Sequence, residues 1–102
     1  MITNKKLTLD DVVVQAEGNI VSDMDGEKVM LNVSRGKYFN LGDVGGAIWD
    51  AMSAPRSIRN LVQILMVEYN VEQSVCEEHV LSFLGNLLDN QLIDVGEEGT
   101  RQ

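Results

Sequence analysis

The residues best equipped for chemistry are one cysteine and one histidine, Cys76 and His79. Their three-residue spacing on a helix sets both side chains on one face, where they could pair as thiol and base or share a metal ion. The surroundings do not support either role. A zinc site takes three or four protein ligands, and only Glu77 and Glu78 lie near. Cys76 falls on an apolar stripe and is expected in the core, with His79 partly exposed. Asp23-Met24-Asp25-Gly26 has the carboxylates of a calcium loop but lacks its spacing and its closing glutamate, so it is expected to be a turn. Gly42, Gly45 and Gly46 are not followed by the Lys-Ser/Thr of a phosphate loop, and close helix-to-sheet packing accounts for them better. With no nucleophile and base, no metal set and no paired acids, the sequence predicts no enzyme, no cofactor and no metal.

The elements that carry these residues follow from hydrophobic period. Val12-Val13-Val14 and Asn19 to Met24 are rich in β-branched residues, and Asp25-Gly26 is a hairpin signal. Glu27 to Val33 alternates, with Val29, Leu31 and Val33 on one face. Ser34-Arg35-Gly36 then turns the chain into Lys37 to Leu41, where Lys37, Phe39 and Leu41 share one face and Tyr38 and Asn40 the other. These segments predict an antiparallel meander of about three strands.

Between Gly36 and Met52 the period changes from two to about 3.6, so a strand runs directly into a helix. The helix is expected to begin near Gly42 or Asp43 and to bury Val44, Ala47, Ile48 and Met52. Pro55 stops it. Ser57 can cap a second helix with the stripe Ile58, Leu61, Val62, Leu65 and Tyr69, ending near Asn70. The third helix starts between Asn70 and Ser74, since Asn70 with Gln73 and Ser74 with Glu77 both fit a capping box. It runs to about Asn90, followed by the extended Leu92-Ile93-Asp94-Val95 and a frayed Gly/Glu-rich tail.

The chain has 102 residues and a net charge of −8. One core within a single domain, ordered from about Val12 to Val95, is the expectation. The acidic balance repels phosphate backbones and anionic lipid, so neither nucleic acid nor membrane is an expected partner. A lone cysteine and the absence of a signal-like apolar run at the start predict a cytoplasmic protein.

Two features then point to peptide binding. The strand Lys37 to Leu41 comes last before the helices, which predicts a sheet edge with one row of backbone N–H and C=O groups unpaired. Tyr38, Phe39 and Trp49 cluster around it. The third helix has more apolar surface than packing requires. Beyond the stripe Cys76, Val80, Phe83 and Leu87, the residues Leu81, Leu84 and Leu88 widen the arc to roughly 160°, with a gap at Gly85. An extended peptide could add to the edge and set its side chains against that flank.

The chain resembles the PqqD-like precursor-recognition domains of ribosomal-peptide (RiPP) pathways, and most closely the small stand-alone recognition proteins of lasso-peptide biosynthesis. The likeness spans about Val12 to Val95 and is densest at Val29 to Val33, Gly36-Lys37-Tyr38-Phe39-Asn40-Leu41, Gly46-Ala47-Ile48-Trp49 and Phe83 to Ile93. It implies an α+β fold like a winged helix-turn-helix, with a three-stranded antiparallel sheet followed by three helices. It also implies a non-catalytic adaptor that binds a precursor leader peptide as an added strand, presenting it to a leader peptidase (a cysteine protease) and an ATP-dependent cyclase. Carried onto this sequence, the site comprises backbone pairing along Lys37, Tyr38, Phe39, Asn40 and Leu41. Side-chain pockets would be lined by Tyr38, Phe39, Leu81, Leu84, Gly85 and Leu88, with Val33 at the strand end. A peptide chaperone of another RiPP pathway and a winged-helix DNA-binding regulator are the alternatives. The third helix, which carries Glu72, Glu77, Glu78 and Asp89 and no Lys or Arg, opposes the second.

Overall fold

In the computed structural model of the chain, which describes residues 7–97, Asp25 and Gly26 both take positive φ, 57° and 86°. That is the geometry of a type I′ turn, whose twist matches that of paired strands. It joins β2 (Asn19–Met24) to β3 (Glu27–Asn32), with Ile20 opposite Leu31. β4 (Lys37–Leu41) folds back on β3, pairing Phe39 with Met30 and Tyr38 with Leu31, so the order is β2-β3-β4. The buried Asn32 secures this second turn. Its side-chain oxygen accepts the Arg35 backbone N–H at 3.0 Å and its carbonyl accepts that of Gly36 at 2.8 Å.

A second sheet, beyond the single meander expected from sequence, places β1 (Asp11–Gln15) between β5 (Arg56–Ser57) and β6 (Ile93–Glu97). Its strands come from three distant parts of the chain. β6 pairs along all of β1, from Asp11 opposite Glu97 to Gln15 opposite Ile93, so the extended segment outlasts Val95. The first six residues and the end of the Gly/Glu-rich tail lie outside the described residues. The architecture is α+β, with three antiparallel strands in each of two sheets and three helices.

α1 (Gly42–Ala51) follows β4 without a loop. An extra residue enters the ladder there, since Asn40 pairs with Val29 but Gly42, not Leu41, bridges to Lys28. Such a bulge bends the strand, and Gly42, at φ 74°, takes the left-handed conformation that a side chain would resist. Asn40 Oδ1 accepts the Gly42 N–H at 3.0 Å, a substitute for the missing helix cap.

α1 is rotated from its expected phase. Gly45, Gly46, Ile48 and Trp49 face inward, while Val44 is 46% exposed. Two glycines on the inner face let the helix approach its neighbours closely. A Cβ on Gly46 would lie 2.5 Å from Lys28 Cγ, and one on Gly45 3.0 Å from the Phe83 ring. Trp49 is therefore core rather than part of a docking surface.

α2 (Ile58–Tyr69) buries Ile58, Leu61, Val62 and Leu65, and Ser57 Oγ accepts the Asn60 N–H at 3.1 Å as its cap. Asn70, at φ 54°, closes its C-terminus. That role removes Asn70 from the start of α3 (Gln73–Asp89), where neither capping box forms and Glu72 stands at the cap without a side-chain bond. No described helix is long and apolar enough to cross a membrane.

Lys28 connects sheet and helix. Its ammonium reaches Asp50 at 3.2 Å and Asp23 at 3.8 Å, and the bond to Asp50 foremost raises its pKa. Its stem lies under Gly46. Substituting Gly46→Ala adds a methyl against the Lys28 stem. Overpacking of about 1–3 kcal/mol opposes a helix-propensity gain of about 1 kcal/mol, so a lower melting temperature is expected in thermal denaturation. An unchanged or raised melting temperature would show that α1 is not seated so closely.

Candidate functional site

In an antiparallel ladder the N–H and C=O of one residue point to the same side, and successive residues alternate. Val33 N–H bonds to the Gly18 carbonyl at 3.0 Å, so Val33, Leu31 and Val29 face β2. Asn32 and Met30 therefore bond β4, through Lys37 and Phe39. The backbone groups of Tyr38 and Asn40 point outward, and among the described residues β4 pairs with β3 alone. Two N–H and two C=O groups stand along this edge.

Beside the edge runs a groove of about 540 Å³ between β4 and the C-terminal half of α3. Phe39 and Leu41 line it from β4, and Phe83, Asn86, Leu87 and Asn90 from α3. Leu41 and Leu87 are nearly sealed at 8% and 4% exposure, so they form the floor, whereas Phe39 and Phe83 are half-buried. Tyr38 is 72% exposed and stands at the rim. The Asn40 amide is engaged, donating to Glu27 Oε1 at 3.3 Å and accepting from Gly42. Asn90 Nδ2 is bonded to the Asn86 carbonyl at 2.9 Å.

The groove is bounded at both ends. At the turn, Arg35 donates to the Asn90 carbonyl at 3.4 Å and to Gln91 Oε1 at 2.5 Å, joining the β3–β4 turn to the end of α3. At the other end Gly45 lets α1 meet Phe83. The walls are thereby held at a fixed spacing.

A family model, Coenzyme PQQ synthesis protein D (PqqD), matches residues 27–93, which contain β3, β4 and all three helices. This chain belongs to the PqqD family. Three solved structures share its fold. TbiB1 in complex with the TbiA(beta) leader peptide is 26% identical with a TM-score of 0.71, over 87% of this chain and 99% of that one. A lasso peptide synthetase B1 complexed with the leader peptide is 23% identical, also at 0.71, over 80% and 96%. The solution structure of the PqqD part of Methylobacterium extorquens PqqCD, a RiPP recognition element, is 18% identical at 0.75, over 89% and 97%. Among curated protein sequences, none matches.

In this PqqD-family chain the structure brings together Tyr38, Phe39, Asn40 and Leu41, with Lys37 on the same strand face as Phe39 and Leu41. Val33 is 55% exposed in the turn and is not a groove wall. The helix side differs from the expectation. Leu84 is fully buried, and Leu81, Gly85 and Leu88 are absent from the groove. At about 100° per residue, Leu81, Gly85 and Leu88 lie on one side of Leu84, and Phe83, Asn86, Leu87 and Asn90 on the other. The stripe was legible in the sequence, but which of its flanks meets β4 was not. Asn86 and Asn90, being polar, gave no apolar signal, although their spacing from Phe83 and Leu87 marks the face.

Cys76 is buried with its thiol 3.7 Å from the Val62 carbonyl, and His79 is exposed. Burial foremost, and Glu77 next, push the Cys76 thiol pKa up, keeping it protonated and unreactive at neutral pH. At pH 7.5 iodoacetamide should label the native protein far more slowly than the urea-unfolded chain; equal rates would contradict this. Arg35→Ala should leave stability within about 1 kcal/mol, as befits an exposed contact, but speed hydrogen exchange at residues 33–37. Unchanged exchange would show that Arg35 does not hold the turn.

Proposed function

We propose that this protein is a non-catalytic adaptor that binds the leader of a ribosomally made precursor peptide by strand addition to β4. It then delivers that leader to a leader peptidase and a macrolactam cyclase in lasso-peptide biosynthesis. The observation that carries this reading is the outward backbone row of Tyr38 and Asn40 beside the groove of Phe39, Leu41, Phe83 and Leu87. Two of the similar structures are described as leader-peptide complexes, which supports the choice of ligand.

Magnitudes divide the work between edge and groove. Four backbone hydrogen bonds at about 0.5–1.5 kcal/mol net each give roughly 2–6 kcal/mol, whereas micromolar affinity needs about 8 kcal/mol and ordering the peptide costs more. The edge alone is insufficient. Alternate leader side chains must bury apolar area between Phe39, Leu41, Phe83 and Leu87, and Lys37 offers a charge for an acidic leader residue near the turn. Holding the leader raises its effective concentration for the enzymes that act on it.

A chaperone role in another RiPP pathway is the second reading, favoured by the match of residues 27–93 to the PqqD family model. The precursor encoded beside the gene separates the two. A DNA-binding role is disfavoured, because from Asn60 to Glu97 the chain has no Lys or Arg.

Titration with a synthetic leader from the neighbouring precursor should show saturable binding at micromolar affinity or better. Tyr38→Pro removes one outward N–H at an edge position that tolerates proline, and should weaken binding about five- to tenfold beyond Tyr38→Ala. Phe83→Ala should weaken it by at least about tenfold. Equal affinities for the Pro and Ala variants, or no binding to the cognate leader, would contradict the proposal.

A further inference from the structure

A second concavity lies along α3, beyond the point where α1 meets Phe83. It is a cleft of about 300 Å³ between the first turn of α1, the end of α2 and the first turns of α3. That places it at the small end of ligand cavities. Its walls include Val44 of α1, Val71 of the α2–α3 connection and Val75 of α3, which are 46%, 37% and 39% exposed. Ile48, Leu65 and Val80 close the floor. The contact between Gly45 and Phe83 separates it from the β4 groove.

Three carboxylates stand beside the cleft. Asp43 and Glu68 lie close enough to Tyr69, a wall residue, to reinforce the upward shift that burial gives its phenol. Glu72 is exposed between Val71 and Val75. His79 also lines the cleft, and from Asn60 to Glu97 the chain has no Lys or Arg. A low-dielectric cleft rimmed by one sign of charge focuses its field and selects the opposite charge.

We propose that this cleft is a second docking site, which takes from a partner protein a short segment carrying aliphatic side chains framed by Lys or Arg. The valine walls require the aliphatic part and the carboxylate rim the basic frame. Nucleic acid carries the wrong charge, and a second copy of this chain brings another −8. Because the cleft is separate from the groove, the segment and a strand on β4 can be held together. The proposal does not depend on what that strand is.

The test is a phage-displayed library of 12-residue peptides selected on the full-length protein, with counter-selection on the Val44→Lys/Val75→Lys variant. Both positions are partly exposed, so the variant should fold, and thermal denaturation checks this. Peptides that survive should pair aliphatic residues with Lys or Arg. Synthetic copies should bind the variant at least about tenfold more weakly and lose affinity as salt rises. Glu68→Gln/Glu72→Gln, which keeps the walls, should weaken binding and flatten that salt dependence. No survivors, or survivors without basic residues, would overturn the proposal. So would a dimer of the wild-type protein that the Lys variant abolishes, which would assign the cleft to a second copy. Loss of cognate-leader binding in the folded Lys variant would assign it to the leader and overturn it as well. Failure of the wild-type protein to bind any leader would instead count against the adaptor role alone.

Discussion

Every outermost strand of an antiparallel sheet leaves half of its backbone hydrogen-bonding groups facing away from its neighbour. The β2-β3-β4 sheet has two such strands, and they differ in what stands beside them. β2 is exposed along most of its length. β4 instead anchors Phe39 and Leu41 in or against the core, continues directly into α1, and has α3 alongside. Its outward groups are thus fixed in position by interactions on its other side. A rigid edge with an adjacent apolar wall can bind an extended chain without first paying to order itself.

Small devices hold that arrangement. The bulge at Leu41 and Gly42 ends the edge and aims α1 across the sheet. Gly45 and Gly46 allow α1 to sit close to both Phe83 and Lys28. The side chain of Asn32 organises the turn, and Arg35 ties that turn to the end of α3. None of these contacts is large, yet together they set the distance between β4 and the helix, on which any groove depends.

Much of this was legible in the sequence. Alternation placed β3 and β4 and the correct faces of Phe39 and Leu41, Asp25-Gly26 marked its hairpin, and Ser57 marked its cap. The second sheet was not legible, because β1, β5 and β6 come from three distant parts of the chain and no local pattern pairs them. The phase of α1 was missed because glycines gave no apolar signal, although their lack of a side chain is what draws that face inward. For α3 the sequence showed an arc wider than packing needs; the side on which β4 lies is a tertiary fact. Leu84, expected as a pocket wall, is sealed, and Phe83 and Leu87 stand at the groove instead.

The most direct test is amide hydrogen exchange followed by NMR, with and without a saturating cognate leader peptide. Phe39 and Lys37, already bonded to β3, should be protected in both states, whereas Tyr38 and Asn40 should exchange quickly alone and become protected with the peptide. Binding that leaves the Tyr38 and Asn40 amides unprotected would contradict strand addition at β4.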